Sequence, residues 1–229
     1  MKLSDTLNIL KFHGFYKGFR RIIDEIFEVI FFDYYFNIHT RKLKFEKDYT
    51  NKNFVYGENK WYQPTYYTPL KKISLYLNKI LLSKKNLIIF DLGAGFGKPL
   101  FIISRFINKN NYLVGIELDE SFEEKFLENL KKKNKNIKFI NDKVEKVDFE
   151  KIIQSYELND SSIVIHNKNS FSRNITEKNL NIWRDLKKKY NLDIYYIFSN
   201  PEFEDLFHEE VIFKTKGWHK NFKINLYKI

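Results

Sequence analysis

The stretch that decides the fold is Ile88–Ser104, IIFDLGAGFGKPLFIIS. An apolar run from Ile88 ends in Asp91. Gly93-Ala94-Gly95-Phe96-Gly97 follows, and a second apolar run starts at Leu100. The chain has eight glycines in 229 residues and one alanine, yet three of the glycines and that alanine fall within five positions. A strand that enters a glycine turn and leaves as a helix is the outline of a nucleotide-type site. Glycines admit positive φ and let a ligand approach the backbone, and the helix start offers free N–H groups. In an open parallel sheet, ligands sit beyond the carboxyl ends of the strands at the switch point.

The sequence on either side fits such a sheet. NLIIFD, YLVGIEL, NIKFIND, SSIVIHN and LDIYYIFS read as strands, and helical segments such as KPLFIISRFI, ESFEEKFLENLKKK, residues 144–157 and EKNLNIWRDLKKKY stand between them. This alternation predicts a doubly wound, mostly parallel α/β sheet covered on both faces. EEVIFKT and FKINLYKI close the chain as an antiparallel hairpin turning near Gly217, the last two of seven strands. Ahead of the sheet, TPLKKISLYLNKILL opens a helix, with Thr68 as its cap and Pro69 in its first turn. Residues 1–37 read as a basic amphipathic helix packed on the main domain, with Asp24, Glu25 and Glu28 on its polar side. Residues 38–63 read as a loop or lid. The expected division is an N-terminal helical extension and lid over residues 1–63 and a catalytic domain over 64–229.

Composition excludes several classes. The absence of cysteine removes disulfides and thiolate metal sites and fits a reducing compartment, so a cytoplasmic protein is expected. Five histidines without paired spacing give no zinc site. No signal peptide and no transmembrane segment are expected. The net charge of +11 is consistent with a nucleic-acid or anionic-membrane partner. The lysines, however, are spread along a chain rich in Lys, Asn, Ile, Phe and Tyr, as solvated faces of an AT-rich coding sequence would be.

Three glycine-turn chemistries compete. A P-loop needs Ser or Thr after Gly-Lys, and Pro99 stands there. A dinucleotide fingerprint needs GxGxxG, but the glycines fall at 93, 95 and 97, and Asp91 would repel a pyrophosphate. The D-x-G-x-G-x-G turn remains. Its acid suits a cationic ligand, and S-adenosylmethionine (SAM) carries both an ammonium and a sulfonium. The next strand ends in Glu117, placed to accept from ribose hydroxyls. The third ends in Asn141 and Asp142, placed to meet an adenine edge.

DLGAGFGK, VGIELDE and IND resemble motifs I to III of the class I SAM-dependent methyltransferases, over about residues 64–229. That resemblance implies a seven-stranded sheet with a reversed terminal hairpin and SAM as cofactor. It also implies that Asp91, Gly93, Ala94, Gly95 and Gly97 hold the methionine part, Glu117 the ribose, and Asn141 with Asp142 the adenine. After the fourth strand, many amine methyltransferases have (D/N)PP(Y/F); here Asn167-Lys168-Asn169-Ser170-Phe171 keeps the Asn and Phe ends without the prolines. VYGE (Val55–Glu58), DLGAGFG and HNKNSF are similar to the non-SET histone-lysine methyltransferases. WYQPTYYTPL and NKNSF are equally similar to bacterial methyltransferases of unknown substrate. The resemblance makes Asn167 and Phe171 candidates for the acceptor pocket, and Tyr62, Gln63 or Tyr56 for closing over SAM. His166 is a candidate general base, as is His208. The implied function is methyl transfer to an amine or hydroxyl of a protein side chain, small molecule or glycan. The alternatives are RNA methylation, a non-catalytic partner-binding subunit, and a peripheral membrane enzyme docked through residues 11–36.

Overall fold

Every residue of Leu87–Leu92 is buried, which places this segment in the middle of a sheet covered on both faces. The computed structural model describes residues 15–16, 19, 22–23, 26–40, 65–131, 134–156, 161–168, 171–217 and 223–229. Its strands are β1 (Asn86–Leu92), β2 (Asn110–Glu117), β3 (Ile137–Asn141), β4 (Ser161–Asn167), β5 (Asp193–Ser199), β6 (Val211–Lys216) and β7 (Lys223–Lys228). They form one sheet in the order β3-β2-β1-β4-β5-β7-β6. β1 to β5 pair in parallel, and β7 runs antiparallel to both β5 and β6. The expected doubly wound sheet with a reversed C-terminal pair is therefore present. The chain winds one way from β1 through β2 to β3 and then returns to β4, so the switch point lies between β1 and β4.

The helices are α1 (Phe32–Phe36), which continues a π-helical turn at Ile26–Phe31, α2 (Tyr67–Ile80), α3 (Lys98–Phe106), α4 (Glu123–Lys131), α5 (Phe149–Gln154) and α6 (Arg173–Tyr190). The period-two alternation of β1 feeds two cores. Ile88, Phe90 and Leu92 pack with Phe149, Ile153, Leu180 and Trp183 of α5 and α6. Leu87 and Ile89 pack with Leu70, Ile73 and Leu77 of α2 and Leu100 and Ile103 of α3.

Local chemistry moved several element boundaries. The helix expected over 144–157 is a short 3₁₀ turn at Val144–Lys146 followed by α5. Asp148 interrupts it by capping α5, its Oδ1 accepting from the Lys151 N–H at 2.9 Å. α6 starts four residues earlier than expected, because Ser172 accepts from the Ile175 N–H as its N-cap. Thr68 does not cap α2 with its side chain. Tyr66 is the N-cap, and the Thr68 N–H is taken at 2.7 Å by Oε2 of Glu28, a residue forty positions earlier. Glu28 is thus not on a solvated polar side but 3% exposed. Asp24 and Glu25 lie outside the described residues. On the packed side of the extension, Phe32 meets Tyr67 and Phe101 at 4.8 and 6.2 Å between centroids.

Two glycines make room for one ring. A Cβ at Gly115 in β2 would lie 2.4 Å from Phe126 of α4, and one at Gly97 would lie 2.9 Å from the same ring. Phe126 is fully buried and stacks edge-on against Phe139 at 5.0 Å, so it has nowhere to retreat. Gly115→Ala is expected to cost about 1–3 kcal/mol by overpacking, read as a lower urea midpoint. Adding Phe126→Leu should recover part of the loss. An unchanged midpoint in Gly115→Ala would show that the ring can move.

Candidate functional site

The glycine turn lies at the carboxyl end of β1, beside the switch point. Gly93, Gly95 and Gly97 have φ of 78°, 49° and 76°, a region that side-chain-bearing residues rarely adopt. The turn is tied to β2. The N–H groups of Gly93 and Ala94 both donate to the Ile116 carbonyl at 2.9 Å, and that of Gly97 donates to the Ala94 carbonyl at 2.8 Å. Gly97 then serves as the N-cap residue of α3, with Pro99 in the first turn.

Glu117, at the end of β2, supports the turn directly. Its Oε2 accepts from the Gly95 N–H at 2.9 Å, and its Oε1 accepts from the N–H groups of Leu118 and Asp119 at 2.9 and 3.3 Å. Burial holds the Glu117 carboxyl above the usual carboxylate range in spite of these three donors. Asn141 donates to the carbonyls of Glu117 and Leu118 at 3.1 and 2.9 Å, so it braces the β2 end across to β3. Asp142 is exposed and accepts from the Lys143 N–H at 2.7 Å.

Asp91 is 1% exposed, and its Oδ1 lies 2.7 Å from Nδ1 of His166 in β4. His166 Nε2 lies 2.9 Å from Ser199 Oγ at the end of β5. A buried Asp–His–Ser chain therefore crosses three neighbouring strand ends. Asp91 and His166 are register partners, which makes the contact a consequence of the β1–β4 pairing. The other oxygen of Asp91, Oδ2, is buried and has no hydrogen-bond partner. Burial pushes the Asp91 carboxyl up, against the opposing pull of His166. His166, a candidate base, has both ring nitrogens engaged in this chain.

Asn167, the last residue of β4, faces the opposite side of the sheet. It is fully buried, its Nδ2 donates to the Tyr196 hydroxyl at 3.0 Å, and its Oδ1 has no partner. Burial raises the Tyr196 phenol well above its ordinary range, so it stays a neutral hydroxyl. Phe171 is buried in the core on that side. His208 is exposed, after a short turn at Glu204–Leu206. Tyr56, Tyr62, Gln63, Asn169 and Ser170 lie outside the described residues. The structure thus brings Asp91, the glycine turn, Glu117 and Asn141 together at adjoining strand ends, with His166 beneath Asp91.

Sequence reasoning missed three supports of this site. Ser199 has a signal in retrospect, since it ends a strand as His166 nearly does. Asn129 of α4, fully buried, donates to the Phe96 carbonyl within the turn at 3.0 Å. It also pairs with both backbone groups of His39, at 2.9 and 2.8 Å. Lys98, read only as part of a failed P-loop, is fully buried. Its Nζ donates to the Glu28 carbonyl at 2.6 Å and lies 4.4 Å from the Phe32 ring centroid.

No protein-family model matches the chain, and no curated protein matches it. Among solved structures, it is similar to an RNA methyltransferase from Salinibacter ruber in complex with S-adenosyl-L-homocysteine: 15% identity over 73% of this chain and 94% of that one, TM-score 0.48. It is similar to an O-methyltransferase from Bacillus cereus, also with S-adenosylhomocysteine: 13% identity, 72% and 83% covered, TM-score 0.48. A ribosomal protein L11 methylase from Lactobacillus delbrueckii subsp. bulgaricus is a third: 14% identity, 74% and 91% covered, TM-score 0.43. The strand order described above, rather than these likenesses, establishes the fold.

Asp91 is harder to ionise in the folded chain than in the unfolded one. Its charge therefore costs stability as the pH rises above its ordinary value of 3.8, until the raised folded value is passed. Asp91→Asn removes that cost. Its stability relative to the natural chain is expected to increase with pH through this window, as followed by thermal melts. A difference that stays flat with pH would show that the carboxyl ionises at its ordinary value.

Proposed function

We propose that this chain is a SAM-dependent methyltransferase that acts on an amine or hydroxyl acceptor. The observation that carries the reading is the unpartnered Oδ2 of Asp91, a buried carboxylate oxygen beside a glycine turn. A buried charge without a full set of partners is costly. An ammonium group on a ligand supplies the missing donor, and the methionine part of SAM carries one.

The other residues fit the same ligand. Three glycines in the left-handed region bring the backbone close to whatever lies above Asp91. Glu117 uses its oxygens on three backbone donors, yet a carboxylate has about four lone-pair sites and retains capacity for a ribose hydroxyl. Asn141 and Asp142 stand one strand further on, where a base would reach. When bound, SAM supplies a methyl carbon already activated by the sulfonium. What is left to the chain is to bind and orient the two reactants and keep water away.

Asn167 supports the nature of the acceptor. Tyr196 holds the amide nitrogen, which leaves the amide oxygen without a partner at the end of β4. An unsatisfied carbonyl-type oxygen wants an N–H or O–H donor, and amine and hydroxyl acceptors both bring one. In this reading Asn167 orients the acceptor, and His166 holds Asp91 in place rather than removing the acceptor's proton.

Calorimetric titration with SAM and S-adenosylhomocysteine tests the proposal. Asp91→Asn and Glu117→Ala are each expected to weaken SAM binding by about ten- to a hundredfold, the worth of a charge-assisted hydrogen bond. Asn167→Ala is expected to slow methyl transfer with SAM affinity unchanged. Unchanged affinity in both carboxylate variants would overturn the site. Binding of neither ligand to the folded natural chain would favour a non-catalytic partner-binding role.

A further inference from the structure

One buried amide ties the N-terminal segment to the glycine turn. Asn129 of α4 is fully buried. Its Oδ1 accepts from the His39 N–H at 2.9 Å, and its Nδ2 donates to the His39 carbonyl at 2.8 Å. The same Nδ2 donates to the Phe96 carbonyl, inside the turn, at 3.0 Å. A primary amide has two N–H donors in one fixed plane. The two-point pairing with His39 sets that plane, and the plane aims the remaining N–H at Phe96. The peptide unit between Phe96 and Gly97 is then held at both ends. Its carbonyl is held by Asn129, and its N–H donates to the Ala94 carbonyl at 2.8 Å, where Gly97 has a φ of 76°.

The residue after Gly97 is held from the same segment. Lys98 is fully buried, and its Nζ donates to the Glu28 carbonyl at 2.6 Å and lies 4.4 Å from the Phe32 ring centroid. The segment is seated by its inward side. The Glu28 carboxylate accepts from the Thr68 N–H at 2.7 Å, and Asp33 accepts from the Thr40 N–H and hydroxyl at 2.9 and 2.6 Å. Ile38 is buried in the core that contains Leu100 and Phe101 of α3. Phe27, Phe31, Tyr34 and Tyr35 face outward and are exposed. A buried donor or acceptor parted from its partner is costly. The segment cannot leave without releasing groups of Asn129 and Lys98, and the turn cannot shift at Phe96 without disturbing the amide that holds His39.

We propose that residues 28–40 act as a clasp that sets the geometry of the glycine turn, with Asn129 and Lys98 as positioning residues. Asn129 acts through the Phe96–Gly97 peptide and Lys98 through the start of α3. A ligand that orders the turn therefore also seats the clasp, and by linkage a seated clasp raises affinity for that ligand. The identity of the ligand rests on the methyl-transfer reading, whereas the hold of the clasp on the turn does not.

Hydrogen–deuterium exchange of the full chain, read by mass spectrometry, is the test. Asn129→Leu keeps the approximate size of the side chain without its polar atoms. Lys98→Met keeps an apolar stem and removes the ammonium. Without ligand, exchange over residues 28–40 and 93–101 is expected to rise together by about tenfold or more in each variant, with β5 and β7 unchanged. S-adenosylhomocysteine is expected to slow exchange over 28–40 in the natural chain, and its Kd should rise about five- to tenfold in each variant. A merely structural segment would leave that Kd unmoved. Unchanged exchange over 93–101 in the folded variants would overturn the proposal. So would S-adenosylhomocysteine binding that is equal in natural chain and variants and leaves 28–40 unprotected. If Asn129→Leu fails to fold, Lys98→Met decides by the same readouts. If the natural chain binds no S-adenosylhomocysteine while the two segments loosen together in the variants, the cofactor reading fails and the clasp stands.

Discussion

A carboxylate buried near the end of β1, an inner strand of the sheet, is the constraint around which this fold is arranged. Asp91 sits in a sheet covered on both faces, where an ion loses its hydration. The fold answers with a hydrogen bond from His166 and the nearby charge of Lys168, and leaves Oδ2 without a hydrogen bond. His166 is placed against Oδ1 by the β1–β4 register, and Ser199 holds the far side of the imidazole from β5. The arrangement rigidifies the carboxylate without neutralising both of its oxygens. A buried acid whose carboxyl is pushed up by burial and which keeps one oxygen without a hydrogen bond is the kind of group that points to a functional site.

The glycine turn obeys two demands at once. Its three positive φ values belong to the turn itself, whereas Gly97 and the distant Gly115 also clear space for Phe126. Ala94, the one alanine of the chain, is buried and would lie 3.0 Å from a Cβ at Gly115. The small residues are therefore concentrated where a cofactor-sized ligand would approach from above and where a large ring fills the space below. Asn129 joins these layers, since one amide holds the turn at Phe96 and the extension at His39.

What the sequence made legible follows from the range of the forces involved. Strand periods, the glycine turn and the polar residues at the ends of β1, β2 and β3 are local patterns and lie where expected, whereas the helix expected over 144–157 is broken at Asp148 and α6 begins four residues early. The supports of the site are not local. His166 reaches Asp91 across 75 positions, and Asn129 reaches His39 across 90. A histidine on an apolar strand and an asparagine in a helix carry no mark of such a partner before the sheet order is known. Thr68 shows the converse failure. It matched the local rule for a cap, but a glutamate forty residues earlier took its N–H instead.

Glu28 and Lys98 show why the extension belongs in any account of the site. Lys98 opens α3 directly after the glycine turn, in the first helical turn, where the backbone dipole disfavours a cation. Its ammonium is nonetheless buried, held by the Glu28 carbonyl and the face of Phe32. The Glu28 carboxylate at the same point starts α2. One residue of the extension therefore fixes the starts of two helices, one of which carries the turn. Because the inward side of this segment is committed to α2 and α3, its aromatic side has no freedom to rotate inward and must face outward.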